Sequence, residues 1–131
     1  MPGSYTFPMS IEKSEFLEEI KKEISKHNLI IVEGKKDVNS LVYVGFNKKN
    51  IFMLNNGISF LENIESINDL TEKNNSKISI LTDIDKKGKL LYDKIKRDLS
   101  QKHRIDNHLR ELLIKEKISH VEGLSGYLSL D

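Results

Sequence analysis

Cysteine is absent from the 131 residues, which removes disulfides, thiolate nucleophiles and cysteine-ligated zinc together. No stretch approaches the roughly 20 consecutive apolar residues that span a bilayer, so no membrane partner is expected. The opening MPGSYTFPMS lacks the basic start and apolar run of a secretory signal. It reads as an untethered tail, with Met9 as an alternative start, and a cytoplasmic protein is the expectation. Charge of one sign is lacking too: 21 basic residues against 20 acidic ones leave a net +1. Nucleic-acid binding would therefore need charge gathered on one face. There is no repeat, low-complexity tract or interdomain linker, and no G-x-S-x-G or P-loop pattern, which argues against a serine hydrolase or a Walker-type ATPase.

What is present is enough apolar material, 37% of the chain, for one core in one domain. Phe16, Leu17, Ile20 and Ile24 recur at helical spacing between Ser10 and Lys26. Asn28 to Val32 (NLIIV) is a short apolar, β-branched run closed by Glu33-Gly34, the pattern of a buried strand stopped by a turn. Asp37 is a candidate cap for the next helix, with Val38, Leu41, Val42 and Gly45 on one face. Asn50 to Leu54 is a second apolar run, followed by the turn cluster Asn55-Asn56-Gly57. Ile58 to Leu70 returns to helical spacing, and Thr71 to Lys77 reads as a loop. Ile78 to Thr82 is a third strand running into Asp83-Ile84-Asp85, then a turn at Gly88 and a helix through Leu91, Ile95 and Leu99. Asp106 to Lys117 is a further helix, Ile118 to Val121 a weak strand candidate, and Leu124 to Leu130 a tail or short helix. Strands spaced by helices predict an α/β sheet of about four parallel strands with helices on both faces.

Ligands of open α/β sheets gather outside the carboxyl ends of the strands. Two of the expected strands end there in carboxylates, one in Glu33 and the other in Asp83 and Asp85. Residues i and i+2 of extended chain face the same side, so Asp83 and Asp85 can address one site. Carboxylates held together repel one another unless a proton or cation intervenes. Oxygen ligands with no Cys or His nearby suit Mg²⁺, with Mn²⁺ as the alternative. The plain structural alternative is that such Asp residues only cap the following helix or fix a turn.

Val32-Glu33-Gly34-Lys35-Lys36-Asp37 and Leu81-Thr82-Asp83-Ile84-Asp85-Lys86-Lys87-Gly88 together resemble the two motifs of the Toprim family. The likeness spans roughly residues 28–122 and is nearest to small archaeal stand-alone Toprim proteins, whose tail is similar to the LREL…HVEGL stretch here. The resemblance implies a compact, Rossmann-like Toprim fold, with residues 1–27 as N-terminal tail and helix and 28–131 as the Toprim domain. It implies Glu33 as general acid/base or extra metal ligand, Asp83 and Asp85 as the metal pair, and Gly34 and Gly88 as turn glycines. Asn56-Gly57 falls at the rim of the same expected site.

Lys35, Lys36, Lys86, Lys87 and Lys89 follow the acidic motifs and are candidates for phosphate contacts, with Lys96, Arg97, Lys102 and Arg104 extending the path. His103, His108 and His120 match no metal signature and read as surface or packing residues. Tyr43 and Tyr92 read as core or boundary positions rather than base-stacking platforms. Val121-Glu122-Gly123 echoes Val32-Glu33-Gly34 and reads as a strand-end turn. The leading expectation is a metal-dependent nuclease acting on RNA or DNA. Nucleotidyl transfer as in primases ranks lower, and topoisomerase activity lower still, because the chain lacks a strand-passage gate. The alternatives are a non-catalytic nucleic-acid-binding module, a subunit whose protein partner completes the active site, and a phosphatase of the haloacid dehalogenase type. The oligomeric state is left open.

Overall fold

The computed structural model describes residues 11–129. The elements in chain order are α1 (Ile11–Ser25), β1 (Leu29–Val32), α2 (Lys35–Val44), β2 (Ile51–Met53), α3 (Phe60–Asn74), β3 (Ile78–Ile80), α4 (Lys86–Leu99), α5 (His108–Lys115) and α6 (Gly123–Ser129), with a single 3-10 turn at Lys48–Asn50 before β2. The expected tail over residues 1–9 lies outside the described residues.

All four side chains of β1 are buried, and the period of two along a strand sends them alternately to two layers. Ile30 and Val32 meet one cluster with Phe16 and Ile20 of α1, Val38 and Leu41 of α2, Leu109 and Leu113 of α5, and Leu124 of α6. Leu29 and Ile31 meet the other, with Ile64 and Ile67 of α3 and Ile95 and Leu99 of α4. A strand covered on both faces has no use for alternating polar residues. That is why LIIV is unbroken and why helices lie on both sides of the sheet.

β1 is central, in the order β2-β1-β3, and both pairings are parallel. Among the described residues the sheet has three strands rather than about four. Beyond β3 there is one parallel bridge, Ile78 to Ile105, where Ile78 N–H donates to Arg104 O and Asp106 N–H to Ile78 O. The weak candidate Ile118–Val121 is not a strand. Ile118 and Val121 face the α1–α2–α5–α6 cluster, and the stretch makes one main-chain bond across, from Ile84 N–H to Ser119 O. Burial, not a ladder, accounts for its apolar residues.

Helix ends follow local chemistry. Ser59 and Glu62 form a reciprocal capping box at the start of α3. The helix continues past Leu70 through the stretch expected to be a loop, because Thr71 is buried and its hydroxyl donates to Ile67 O at 2.7 Å. At α2 the cap position is Gly34, and Asp37 instead accepts from Gly34 N–H at 3.0 Å, from inside the first turn.

Asp106 ties α1 to α5. Burial pushes its carboxyl up, but bonds from His108 N–H, Lys26 and Asn28 outweigh that and hold it below its ordinary 3.8. A depressed carboxyl contributes stability above the unfolded value, and that stability is lost as pH falls through the native one. Asp106→Asn is therefore expected to cost about 1 kcal/mol at pH 7, part-exposed Lys26 adding little. The cost should shrink in urea titrations carried from pH 7 down past the ordinary 3.8 and through the depressed native value, below the range where histidines titrate. An equal cost at both ends of that range would assign the effect to shape rather than charge.

Candidate metal centre

At the carboxyl edge of the sheet the ladder continues past the named strands. Leu54 N–H donates to Val32 O, Asn55 N–H to Glu33 O, and Leu81 N–H to Ile31 O. This alignment sets Glu33 beside Asp83 although 50 residues separate them.

Each of the three expected carboxylates is held by one backbone N–H. Glu33 Oε2 accepts from Asp83 N–H at 2.9 Å. Asp83 Oδ1 accepts from Val121 N–H at 3.0 Å. Asp85 Oδ1 accepts from Gly88 N–H at 2.7 Å, as the N-cap of α4. The capping alternative and the ligand reading thus coexist in Asp85, because capping uses one oxygen and leaves Oδ2. Glu33 and Asp83 are half-buried and Asp85 is exposed.

The expectation that no histidine lies near the site is corrected. His120 Nε2 is 3.4 Å from Asp85 Oδ2. Asp83, Asp85 and His120 each offer a ligand atom, all within 4.8 Å of one another. Ser119 Oγ lies 3.0 Å from His120 Nδ1, so donation from Nδ1–H would leave Nε2 a lone pair for an ion. Two carboxylates and an imidazole fit a divalent cation, and the nitrogen donor widens the choice from Mg²⁺ toward Mn²⁺ and later transition metals.

Carboxylates crowd one another at this edge. Asp37 is raised above its ordinary 3.8 by burial first, with the negative charges of Asp83, Glu33 and Glu122 adding to it while Gly34 N–H opposes. The buried cation beneath this edge is Arg110, 6% exposed. It donates to Thr82 O, to Thr82 Oγ1 at 3.1 Å and to Asp83 O at 3.2 Å, and its guanidinium lies 4.5 Å from the Tyr92 ring. Burial pulls its pKa below the ordinary guanidinium value while Tyr92 and Asp83 act against that, and a guanidinium so placed stays charged at neutral pH. Arg110 thereby fixes the Thr82–Asp83 backbone from which the two aspartates spring.

Gly88 is required by close approach. A Cβ there would stand 2.0 Å from Asp83 O, and the Gly88 carbonyl accepts from Thr82 Oγ1 at 2.7 Å. Gly57 has φ +88°, which favours glycine. Gly34 has extended backbone at φ −141°, and a Cβ there would meet only Asn55 Nδ2 at 3.7 Å.

Lys35 and Lys36 open α2, Lys86 and Lys87 open α4, and Lys89 follows within the next turn. All five are exposed on the edge that carries the carboxylates. The extended path does not continue from them. Lys96 and Arg97 lie in the last turn of α4, a helix about 20 Å long by its residue count. Lys102 and Arg104 line a recess with Lys77, at the amino end of β3. These four belong to the opposite edge. His103 bonds Asn68 and His108 bonds Glu19, in keeping with packing roles. His120, Arg110 and Asp37 are the site residues that sequence reasoning passed over. The signal for His120 was the HVEGL stretch, in which Val121 N–H holds Asp83.

The Toprim domain model matches residues 28–122. A solved structure of a protein from Aquifex aeolicus is similar at 29% identity with a TM-score of 0.67, over 83% of this chain and 94% of that one. No curated protein matches.

Proposed function

The chain belongs to the Toprim family, whose domain performs metal-dependent chemistry on nucleic acid, and on that premise we propose a nuclease that cuts phosphodiester bonds of RNA or DNA. The observation that carries this reading is the set of three carboxylates, each anchored by a backbone N–H, at one sheet edge. Anchoring leaves the remaining oxygens aligned before substrate arrives, so little reorganisation is needed during reaction. Asp83, Asp85 and His120 would hold Mg²⁺ or Mn²⁺, which offsets phosphate charge and steadies the leaving oxygen. Glu33, with Oε2 engaged by Asp83 N–H, has Oε1 for taking or giving a proton. Lys35, Lys36, Lys86, Lys87 and Lys89 hold flanking phosphates without reading sequence.

Asp85 is 46% exposed, which favours a second reading: a protein partner completes the site, or the domain binds nucleic acid without cutting it. Primase-like nucleotidyl transfer would use the same carboxylates. Family membership removes the haloacid dehalogenase alternative. No helix among the described residues is long and apolar enough to cross a membrane, and a cysteine-free chain suits a reducing cytoplasm.

The test is incubation of the purified protein with labelled structured RNA and with single- and double-stranded DNA, in Mg²⁺, Mn²⁺ or EDTA. Cleavage in metal, silenced by EDTA, is expected. Glu33→Gln keeps an acceptor for Asp83 N–H but cannot carry the proton, and should slow cleavage about 10²-fold or more. Undiminished cleavage by that variant would overturn the role of Glu33, and binding without cleavage would favour the binding module.

A further inference from the structure

Tyr43, expected in the core or at its boundary, is 70% exposed. Lys36, Asn39, Ser40 and Tyr43 stand at i, i+3, i+4 and i+7 of α2, which places them on one stripe. That stripe forms one wall of a groove of about 580 Å³, and Glu122, Gly123 and Ser125 form the other. The walls are locked together because Ser125 N–H donates to buried Ser40 Oγ at 2.9 Å. The side chains of Lys36, Asn39 and Tyr43 make no hydrogen bond, ion pair or ring contact with other described residues, so their functional groups are open to a ligand.

Both walls begin at the acidic edge. Lys36 follows Glu33 by three positions, and Glu122 follows Val121, whose N–H holds Asp83. From Lys36 to Tyr43 the stripe runs about 10 Å along the helix. Its chemistry is ordered along that length: an ammonium for phosphate, a carboxamide for a base edge, and an aromatic face for a base. Glu122 repels phosphate from the far wall and keeps the backbone on the Lys36 side.

We propose that this groove is a subsite for unpaired nucleotides next to the reacting phosphate, with a base stacked on Tyr43 and a flanking phosphate held by Lys36. A base can lie flat on an exposed ring only when it is free of its complement. The groove therefore selects single-stranded segments or loops over continuous duplex. This deepens the phosphodiester reading above and rests on it.

The test compares a fluorescein-labelled single strand with the same strand in a duplex, by anisotropy, with Ca²⁺ in place of Mg²⁺. Tyr43→Ala is expected to weaken single-strand binding about tenfold and to leave duplex binding within about twofold. Tyr43→Phe should bind like the wild type, because stacking needs the ring and not the hydroxyl. Single-strand affinity unchanged in Tyr43→Ala would overturn the subsite while leaving the nuclease reading intact, as would an equal loss on duplex. Unchanged affinity with loss of self-association in sedimentation would reassign Tyr43 to a protein interface. A wild type that binds neither polymer would overturn the subsite and the underlying reading together.

Discussion

Asp83→Asn is expected to reduce cleavage by at least about 10²-fold while leaving the metal-free protein about as stable as the wild type. The two effects separate because Asp83 has two tasks. Its Oδ1 accepts from Val121 N–H, and an asparagine carbonyl can accept that bond equally well. Its negative charge, by contrast, lies close to those of Asp37 and Glu33, and it adds to the rise that burial first imposes on the Asp37 carboxyl. Removing the charge relieves that repulsion but also gives up its attraction to buried Arg110, so the two nearly offset without an ion, whereas the attraction for an ion is lost when one is supplied. Melting curves with and without Mn²⁺ provide the check. A ligand at one hundred times its Kd stabilises the folded state by about 2.7 kcal/mol. The wild type should show such a shift and Asp83→Asn should show little of it. A full Mn²⁺ shift in the variant would remove Asp83 from the metal site.

Gly88→Ala is expected to be the most destabilising small substitution at this edge, by about 3 kcal/mol. Two effects compete. Alanine is the better helix former by about 1 kcal/mol, and position 88 lies in the first turn of α4. Against this, the added Cβ would stand 2.0 Å from Asp83 O and 2.6 Å from its carbonyl carbon. These are backbone atoms, fixed from the other side by Arg110 through Thr82 O and Asp83 O. They cannot yield as the end of a flexible side chain would, so the clash outweighs the propensity gain. A fall of roughly 10 °C in the midpoint of thermal unfolding is the expected readout. Gly34→Ala is the control, since its Cβ meets nothing closer than 3.7 Å and should cost no more than about 1 kcal/mol. If both alanines cost the same, the close approach at Gly88 is not what selects glycine.

The alternation of strand and helix, the parallel sheet and the positions of Glu33, Asp83 and Asp85 were all legible in the chain itself. They depend on signals carried within a few residues: unbroken β-branched runs such as LIIV, helical spacing, and turn residues that close a strand. Such signals survive without knowledge of neighbours. The extent of the sheet was not local in this sense. Ile118 and Val121 look strand-like because they are apolar, but they are buried under helices, while the pair beyond β3 comes from Ile105, which no run announces. Arg110 sits in LREL and reads as an exposed helical arginine until α5 carries it beneath Thr82 and Asp83. His120 reads as a surface histidine until the turn before α6 brings it to Asp85, and Tyr43 reads as a packing residue until α6 covers the neighbouring face of α2 and leaves its ring outside. Which face of a helix is covered, and which charge is buried, is decided by segments distant in the chain. Those assignments therefore belonged to the tertiary structure, and the acidic motif belonged to the sequence.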